Sequence, residues 1–336
     1  MRTTDPAEPS PREGRQREAT IVFAGNRIGN KFRLIAELGD GGMGKVWLAM
    51  HLGLRRRVAL KVLHRSVHAS ADHRKRFERE AVAIGALSHP GIVDALDFGE
   101  LEDGRSYLVM EYVMGQTLQK IVERRERLDW QTACRVMTQV ADALSYAHDK
   151  GIVHRDLKPD NVIIEGGDLA AGRVCILDLG LAQVSGVSGL SLSGGGFAMG
   201  TASYSAPEQL RGESTDARVD VFGLGAVLYR LVTGSAPYGG VDFQDVVLAQ
   251  KKRQLRHPRQ VHRDRSRPRA LDELLMRCLA SDPDERPQTA AEFRAALLDI
   301  QAAPAAKRSW RAVAAAVSLI AVGVAAGVVG AVALLT

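Results

Sequence analysis

Cysteine is scarce in this chain: Cys134, Cys175 and Cys278 are the only three among 336 residues, far apart and odd in number. That excludes a disulfide framework and a CxxC metal site, and it points to a reducing compartment. Aromatic side chains are 5% of the chain and do not interleave with its basic residues, so the net charge of +6 does not predict a nucleic-acid surface. No apolar core follows Met1 and Arg2, which excludes a secretory signal peptide. Residues 1–30, opening "MRTTDPAEPSPREGRQREAT", also lack apolar periodicity and are expected to form a disordered tail. At the other end it is charge that is missing. Residues 312–335, "AVAAAVSLIAVGVAAGVVGAVALL", hold no ionisable side chain, and about 24 residues of helix rise about 36 Å against a hydrocarbon core of about 30 Å. A transmembrane helix is expected there. Lys307, Arg308 and Arg311, in a basic juxtamembrane linker over residues 301–311, precede it and Thr336 alone follows, which predicts a single pass with the large N-terminal part in the cytoplasm. Gly323 and Gly327 form a GxxxG that either brings two such helices together as a homodimer or is simply part of an Ala-rich span.

Between these ends the texture changes once. Over residues 31–113 short β-branched runs dominate, "KVWLAM", "RRVALKVL" and "YLVMEYV", broken by one helical stretch whose Phe77, Ala81, Ile84 and Leu87 share a face. After Met114 come long amphipathic runs, among them "WQTACRVMTQVADALSYAHDKG", "VFGLGAVLYRLVTG" and "ALDELLMRCLA". The expected class is α+β: a small lobe of mostly antiparallel sheet with one helix, a larger helical lobe, and a crevice between them, where ligands commonly bind.

Chemistry-bearing residues cluster in a few places. "LGDGGMGKV" spaces Gly39, Gly41 and Gly44 as G-x-G-x-x-G between two strand-like runs, which suits backbone amides laid against phosphate oxygens. A dinucleotide fingerprint would need a helix where a second strand follows. "VALK" ends at Lys61, a point charge suited to phosphate, and Glu80 on the polar side of the small-lobe helix is a candidate to orient it. Residues 154–161, "HRDLKPDN", hold Asp156, Lys158 and Asn161 within one turn, and "DLG" adds Asp178. The turn could be no more than self-satisfied Asp and Asn side chains. His89 and His148 read as satisfied interior or turn histidines.

Taken together over residues 31–300, these motifs, with "GTASYSAPEQ", "PDERP" and "DARVDVFGLG", resemble the protein kinases, and most closely the bacterial branch of the eukaryotic-type (Hanks-type) Ser/Thr kinases. The resemblance implies the two-lobed kinase fold, ATP with Mg²⁺ (Mn²⁺ as a substitute), and protein substrates. It implies Asp156 as the base for the substrate hydroxyl, Lys158 and Lys61 on phosphate, and Asn161 and Asp178 as metal ligands. It puts adenine among Leu38, Val46, Ala59 and Ile163, against the backbone near Glu111 and Val113, behind Met110. Leu179 stands where the family commonly has Phe and is expected to plug the same apolar space. Glu208 and Arg286 are expected to form a buried ion pair, Asp220 to hold the catalytic loop from below, and His154 to pack in the core. Lys158 and Thr201 match the Ser/Thr pattern, and the APE segment favours protein over small-molecule substrates. Arg155 implies activation by phosphate on the loop at residues 181–199, where no threonine occurs and Ser191 and Ser193 are preferred over Ser185 and Ser188. The rival readings are a membrane-tethered pseudokinase scaffold and a metabolite kinase. The basic run at residues 251–269 reads either as a solvated loop or as a surface for anionic lipid.

Overall fold

The computed structural model describes residues 23–41, 44–68, 71–179, 202–240 and 243–303. The small lobe is built on a six-stranded antiparallel sheet. Its strands are β1 (Arg27–Ile28), β2 (Phe32–Asp40), β3 (Gly44–His51), β4 (Arg56–Leu63), β5 (Ala95–Glu100) and β6 (Ser106–Glu111), in the spatial order β1-β2-β3-β4-β6-β5. Two helices separate β4 from β5: α1 (Arg65–His68), a single turn that the sequence pattern did not predict, and α2 (Ala71–Gly85).

Strand β4 shows why this sheet forms. After two exposed arginines its six remaining residues are all buried, because both faces of the strand are covered. Val58, Leu60 and Val62 join Phe32, Trp47, Tyr107 and Val109 in one cluster. Leu63, on the alternate face, meets Phe77, Ala81 and Ile84 of α2. Ala59 and Lys61 lie on that second face, so strand periodicity alone turns the lysine towards the helix side of the sheet. Leu87 is the exception to the expected helix face: it lies beyond the end of α2 and packs into the core of the other lobe.

A three-stranded antiparallel sheet, β7 (Gly115–Thr117), β8 (Val162–Glu165) and β9 (Val174–Ile176), opens the large lobe. Its helices are α3 (Leu118–Arg125), α4 (Trp130–Asp149), α5 (Pro207–Leu210), α6 (Arg218–Thr233), α7 (Phe243–Lys251), α8 (Pro258–Val261), α9 (Arg269–Cys278) and α10 (Ala290–Ala302). Asp129 caps α4 by accepting from Thr132 N–H, and the buried residues of that helix recur at helical spacing from Ala133 to Ala147. Helix α6 differs from the expected amphipathic pattern. It is buried almost all round, since α4, α9 and α10 all pack on it, and it ends on Gly234 in a left-handed C-cap.

The edges of the domain move slightly from their expected places. Arg27–Ile28 pairs with Phe32 and Arg33, so ordered structure starts inside the span expected to be tail, and α10 runs to Ala302, into the expected linker. The basic run at residues 251–269 is a loop only in part: it takes in the last residue of α7, all of α8 and the first residue of α9. Residues 1–22 and 304–336, with the expected transmembrane span, lie outside the described residues, and among the described ones no helix is long and apolar enough to cross a membrane.

Candidate active site

The crevice is walled above by the β2–β3 hairpin. Gly39 pairs with Val46 and Asp40 with Lys45, so the glycine-rich segment joins two antiparallel strands and no helix follows it. Gly44 is a steric requirement: a Cβ there would lie 2.3 Å from the Val62 carbonyl oxygen on the neighbouring strand. Gly39 and Gly41 meet no such obstruction: a Cβ at Gly39 would meet nothing within 4 Å and one at Gly41 only an ordinary contact with the Gly44 carbonyl at 3.8 Å.

Behind the hairpin, Met110, Val113 and Ile163 come together in one apolar cluster with Val93, Cys175 and Leu177. Ala59 lies opposite Met110 across β4 and β6, and Val46 is in register with Lys61. A flat apolar ring fits such a surface, whereas Leu38 is largely exposed at its rim. Glu111 donates its backbone N–H to Asp94 C=O at 2.9 Å. Its carboxylate pairs with Arg173, which also reaches Glu165 and the Pro90 carbonyl. Arg173 therefore ties the strand leading out of the small lobe to the base of β9. The sequence reading missed it; the only signal is a lone arginine set immediately before a fully buried strand.

The catalytic-type loop is held from below. Asp220, buried in the first turn of α6, accepts from the backbone N–H groups of His154 and Arg155, each at 2.8 Å, and from His148 Nε2 at 2.8 Å. Burial pushes its carboxyl up, but these donors and the nearby histidines more than offset that and hold it below the usual carboxylate range. Arg155 is left-handed at φ 64°, a conformation these bonds pin, and its carbonyl accepts from Gln209 Nε2 at 2.8 Å. His154 is fully buried and bonds the Leu177 carbonyl through Nε2; His89 accepts from Gly91 N–H through Nδ1. Both behave as satisfied structural histidines.

On that platform the polar groups converge. Lys158 Nζ lies 2.9 Å from Asp156 Oδ2, and Asn161 Nδ2 donates to the Asp156 carbonyl at 2.7 Å and to Oδ2 at 3.2 Å. Leu177 N–H donates to the Asn161 carbonyl at 2.8 Å, which sets the next residue, Asp178, beside this group. Asp178 is left-handed at φ 52° and pairs with Lys61 Nζ at 2.8 Å. Burial works to raise its pKa, and the Lys61 ammonium wins, keeping the carboxyl below its ordinary value. Leu179 is buried in the large-lobe core, filling the apolar space expected of it. Glu80 lies in α2, with its side chain outside the described ones, and Thr201, Ser191 and Ser193 lie outside the described residues.

Among the described residues no three His, Cys, Asp or Glu side chains converge as a self-sufficient metal site. A carboxylate and an amide, Asp178 and Asn161, fit instead a hard cation that takes its other ligands from phosphate and water. Away from the crevice, Arg286 and Glu208 form a buried two-pronged pair at 2.6 and 2.8 Å, as expected.

Residues 32–296 match the protein kinase domain family. The chain is 38% identical over 283 residues to the serine/threonine-protein kinase pkn3 of Myxococcus xanthus, a match covering 83% of this chain and 51% of that protein. It is 38% identical over 278 residues to the serine/threonine-protein kinase PknB of Mycobacterium tuberculosis, covering 82% and 44%. The chain thus spans about half the length of these curated relatives. Among solved structures, the Mycobacterium tuberculosis PknI kinase domain superposes with a TM-score of 0.65 at 30% identity, over 83% of this chain and 100% of that one.

Proposed function

Since the chain belongs to the protein kinase family, we propose that it transfers the γ-phosphoryl group of ATP to serine and threonine hydroxyls of proteins, its own activation loop among them. The observation that carries this reading is the convergence of Asp156, Lys158, Asn161 and Asp178 on one loop pair, with Lys61 facing them from β4.

Phosphoryl transfer asks a protein mainly to align an attack and to neutralise moving charge. In this reading Asp156 takes the proton of the incoming hydroxyl. Lys158, already beside that carboxylate, offers its ammonium to the oxygens of the group being transferred, and Lys61 neutralises phosphate charge from the other lobe, with Glu80 as its positioning residue. Asn161 and Asp178 would hold Mg²⁺ or Mn²⁺, which would supply charge neutralisation on the phosphates. The backbone amides around Gly39, Gly41 and Gly44 cover those phosphates, and the Val46, Ala59, Met110, Val113 and Ile163 surface receives the adenine. Asp220 acts through the loop it braces.

We further propose that residues 312–335 span the cytoplasmic membrane of a bacterium, with the kinase domain in the cytoplasm. An uncharged run of about 24 residues preceded by Lys307, Arg308 and Arg311 supports this. Confinement of this kind raises the effective concentration of one kinase for another, and Gly323 with Gly327 offers a face for a homodimer.

The test is incubation of the purified protein with radiolabelled ATP, Mg²⁺ and a generic protein substrate, beside the Asp156→Asn variant. Label on serine and threonine of the substrate is expected with the parent and not with the variant. Nucleotide binding without transfer by the parent would mark a scaffold, and transfer only to small hydroxylated metabolites would mark a different substrate class.

A further inference from the structure

Outside the crevice, α5 and α7 enclose a half-open recess of about 200 Å³. Its walls mix apolar and cationic side chains: Pro207, Leu210 and Val247, with Arg211, Lys251 and Arg253. The three cations are not equivalent. Arg211 is already neutralised by a two-pronged pair with Glu213 at 2.6 and 2.7 Å. Lys251 and Arg253, both exposed, have no carboxylate partner among the described residues. Their pull on an anion is therefore screened by water and salt, and the selectivity comes from the two charges lining one recess with apolar Pro207, Leu210 and Val247.

The recess is also coupled to the candidate active site through side-chain amides. Gln250, the buried neighbour of Lys251, donates to the Ser205 carbonyl at 3.0 Å. Gln209, the neighbour of Leu210 in α5, donates to the carbonyl of Arg155 at 2.8 Å, the residue before Asp156. A macromolecule seated in the recess therefore rests on the segment that flanks the catalytic loop.

We propose that this recess binds an anionic side chain of the protein substrate, a phosphoryl group or a carboxylate, and so selects substrates at a distance from the hydroxyl that is modified. The proposal rests on the kinase reading above. The shape favours a protein over a lipid surface. Lys251 and Arg253 are exposed, as Lys252, Arg263 and Arg265 are, and a flat membrane would engage all five alike; what sets the first two apart is that they line a recess, which accepts one projecting group.

The test separates binding from catalysis. Fluorescent peptides carrying one phosphoserine, one glutamate or neither are titrated by anisotropy into the full-length protein without ATP, in neutral detergent. The phosphoserine and glutamate peptides are expected to bind, the neutral one not. The K251E/R253E double variant is expected to weaken binding at least tenfold, the milder K251Q/R253Q pair several-fold, and K252E/R265E, outside the recess, to leave it unchanged. Equal weakening by both charge-reversed pairs would show a diffuse field and overturn the proposal, as would retention of binding in K251E/R253E. Displacement of the peptide by anionic nanodiscs but not by neutral ones would assign the surface to lipid. Because anisotropy needs no phosphate transfer, its outcome stands apart from the kinase assay, in which K251E/R253E is expected to keep its kcat/KM on the neutral peptide.

Discussion

Lys61 Nζ and Asp178 Oδ1 lie 2.8 Å apart, joining the central strand of the small lobe to the first residue of the DLG turn. The pair spans the crevice, so each residue both charges the site and helps to close it. Replacing Lys61 by Met, or Asp178 or Asp156 by Asn, is expected to lower phosphate incorporation by orders of magnitude while the far-ultraviolet circular dichroism stays that of the parent. Near-parental autophosphorylation in Asp178→Asn would falsify the assignment.

Chelation supplies an independent check on the ligand set. Excess EDTA is expected to abolish transfer, with Mg²⁺ or Mn²⁺ restoring it, and without unfolding the domain, since no metal-only cluster holds the described fold together. A melting temperature that drops on chelation in the absence of nucleotide would contradict this.

Asp178 and Asp220 are both held below their ordinary pKa. An aspartate depressed in the folded state stabilises the fold above its unfolded pKa, about 4, and that contribution drains away as pH falls through the lower folded value. Denaturant titrations between neutral pH and about 3 should show stability falling only below about 4. In Asp220→Asn the fall should be shallower, with a lower plateau at neutral pH. An unchanged acid limb in that variant would remove Asp220 from the explanation.

The Glu208–Arg286 pair is fully desolvated and two-pronged. Removing one partner strands the other charge in the core, and a loss of about 3 to 5 kcal/mol is expected from Arg286→Ala or Glu208→Ala in urea unfolding. The double variant should lose less than the sum of the two, and strict additivity would show that the pair is not coupled.

Arg173, about a third exposed, predicts a different signature. A pair so accessible contributes no more than about 1 kcal/mol to stability. Yet it bridges Glu111 to the Pro90 carbonyl and Glu165, so Arg173→Met should loosen the connection between lobes. Faster hydrogen exchange around residues 108–113 and a several-fold higher KM for ATP are expected, with kcat nearly unchanged. Parental exchange there would assign Arg173 to the surface alone.

The sequence was most legible where chemistry and period coincide. The alternation in "RRVALKVL" places Lys61 on the helix-facing side of its strand, and the spacing within "HRDLKPDN" is short enough that one turn must gather Asp156, Lys158 and Asn161. It was least legible where a role depends on what packs from elsewhere. The run "VFGLGAVLYRLVTG" is not the amphipathic one expected: Arg230 is its only charge, and a helix apolar nearly all round is one that other elements cover on every side, though which elements do so is not written in the run itself. Nor does local pattern betray Arg173 or Gln209, whose partners stand 62 and 54 positions away along the chain. The short helix Arg65–His68 and the two-residue strand Arg27–Ile28 escape for another reason: neither is long enough to display a period.

The left-handed backbone at Arg155 and Asp178 bears on how this protein could be hardened. Each such residue typically costs about 1 to 3 kcal/mol, held in place by its surroundings. Glycine would relax Arg155, whereas at Asp178 it would also remove the Lys61 ion pair that stabilises the fold, so a selection for heat tolerance alone would favour change immediately beside the catalytic aspartate. The catalytic loop is thus kept in a conformation that thermal selection would erode, and only selection for turnover would preserve it.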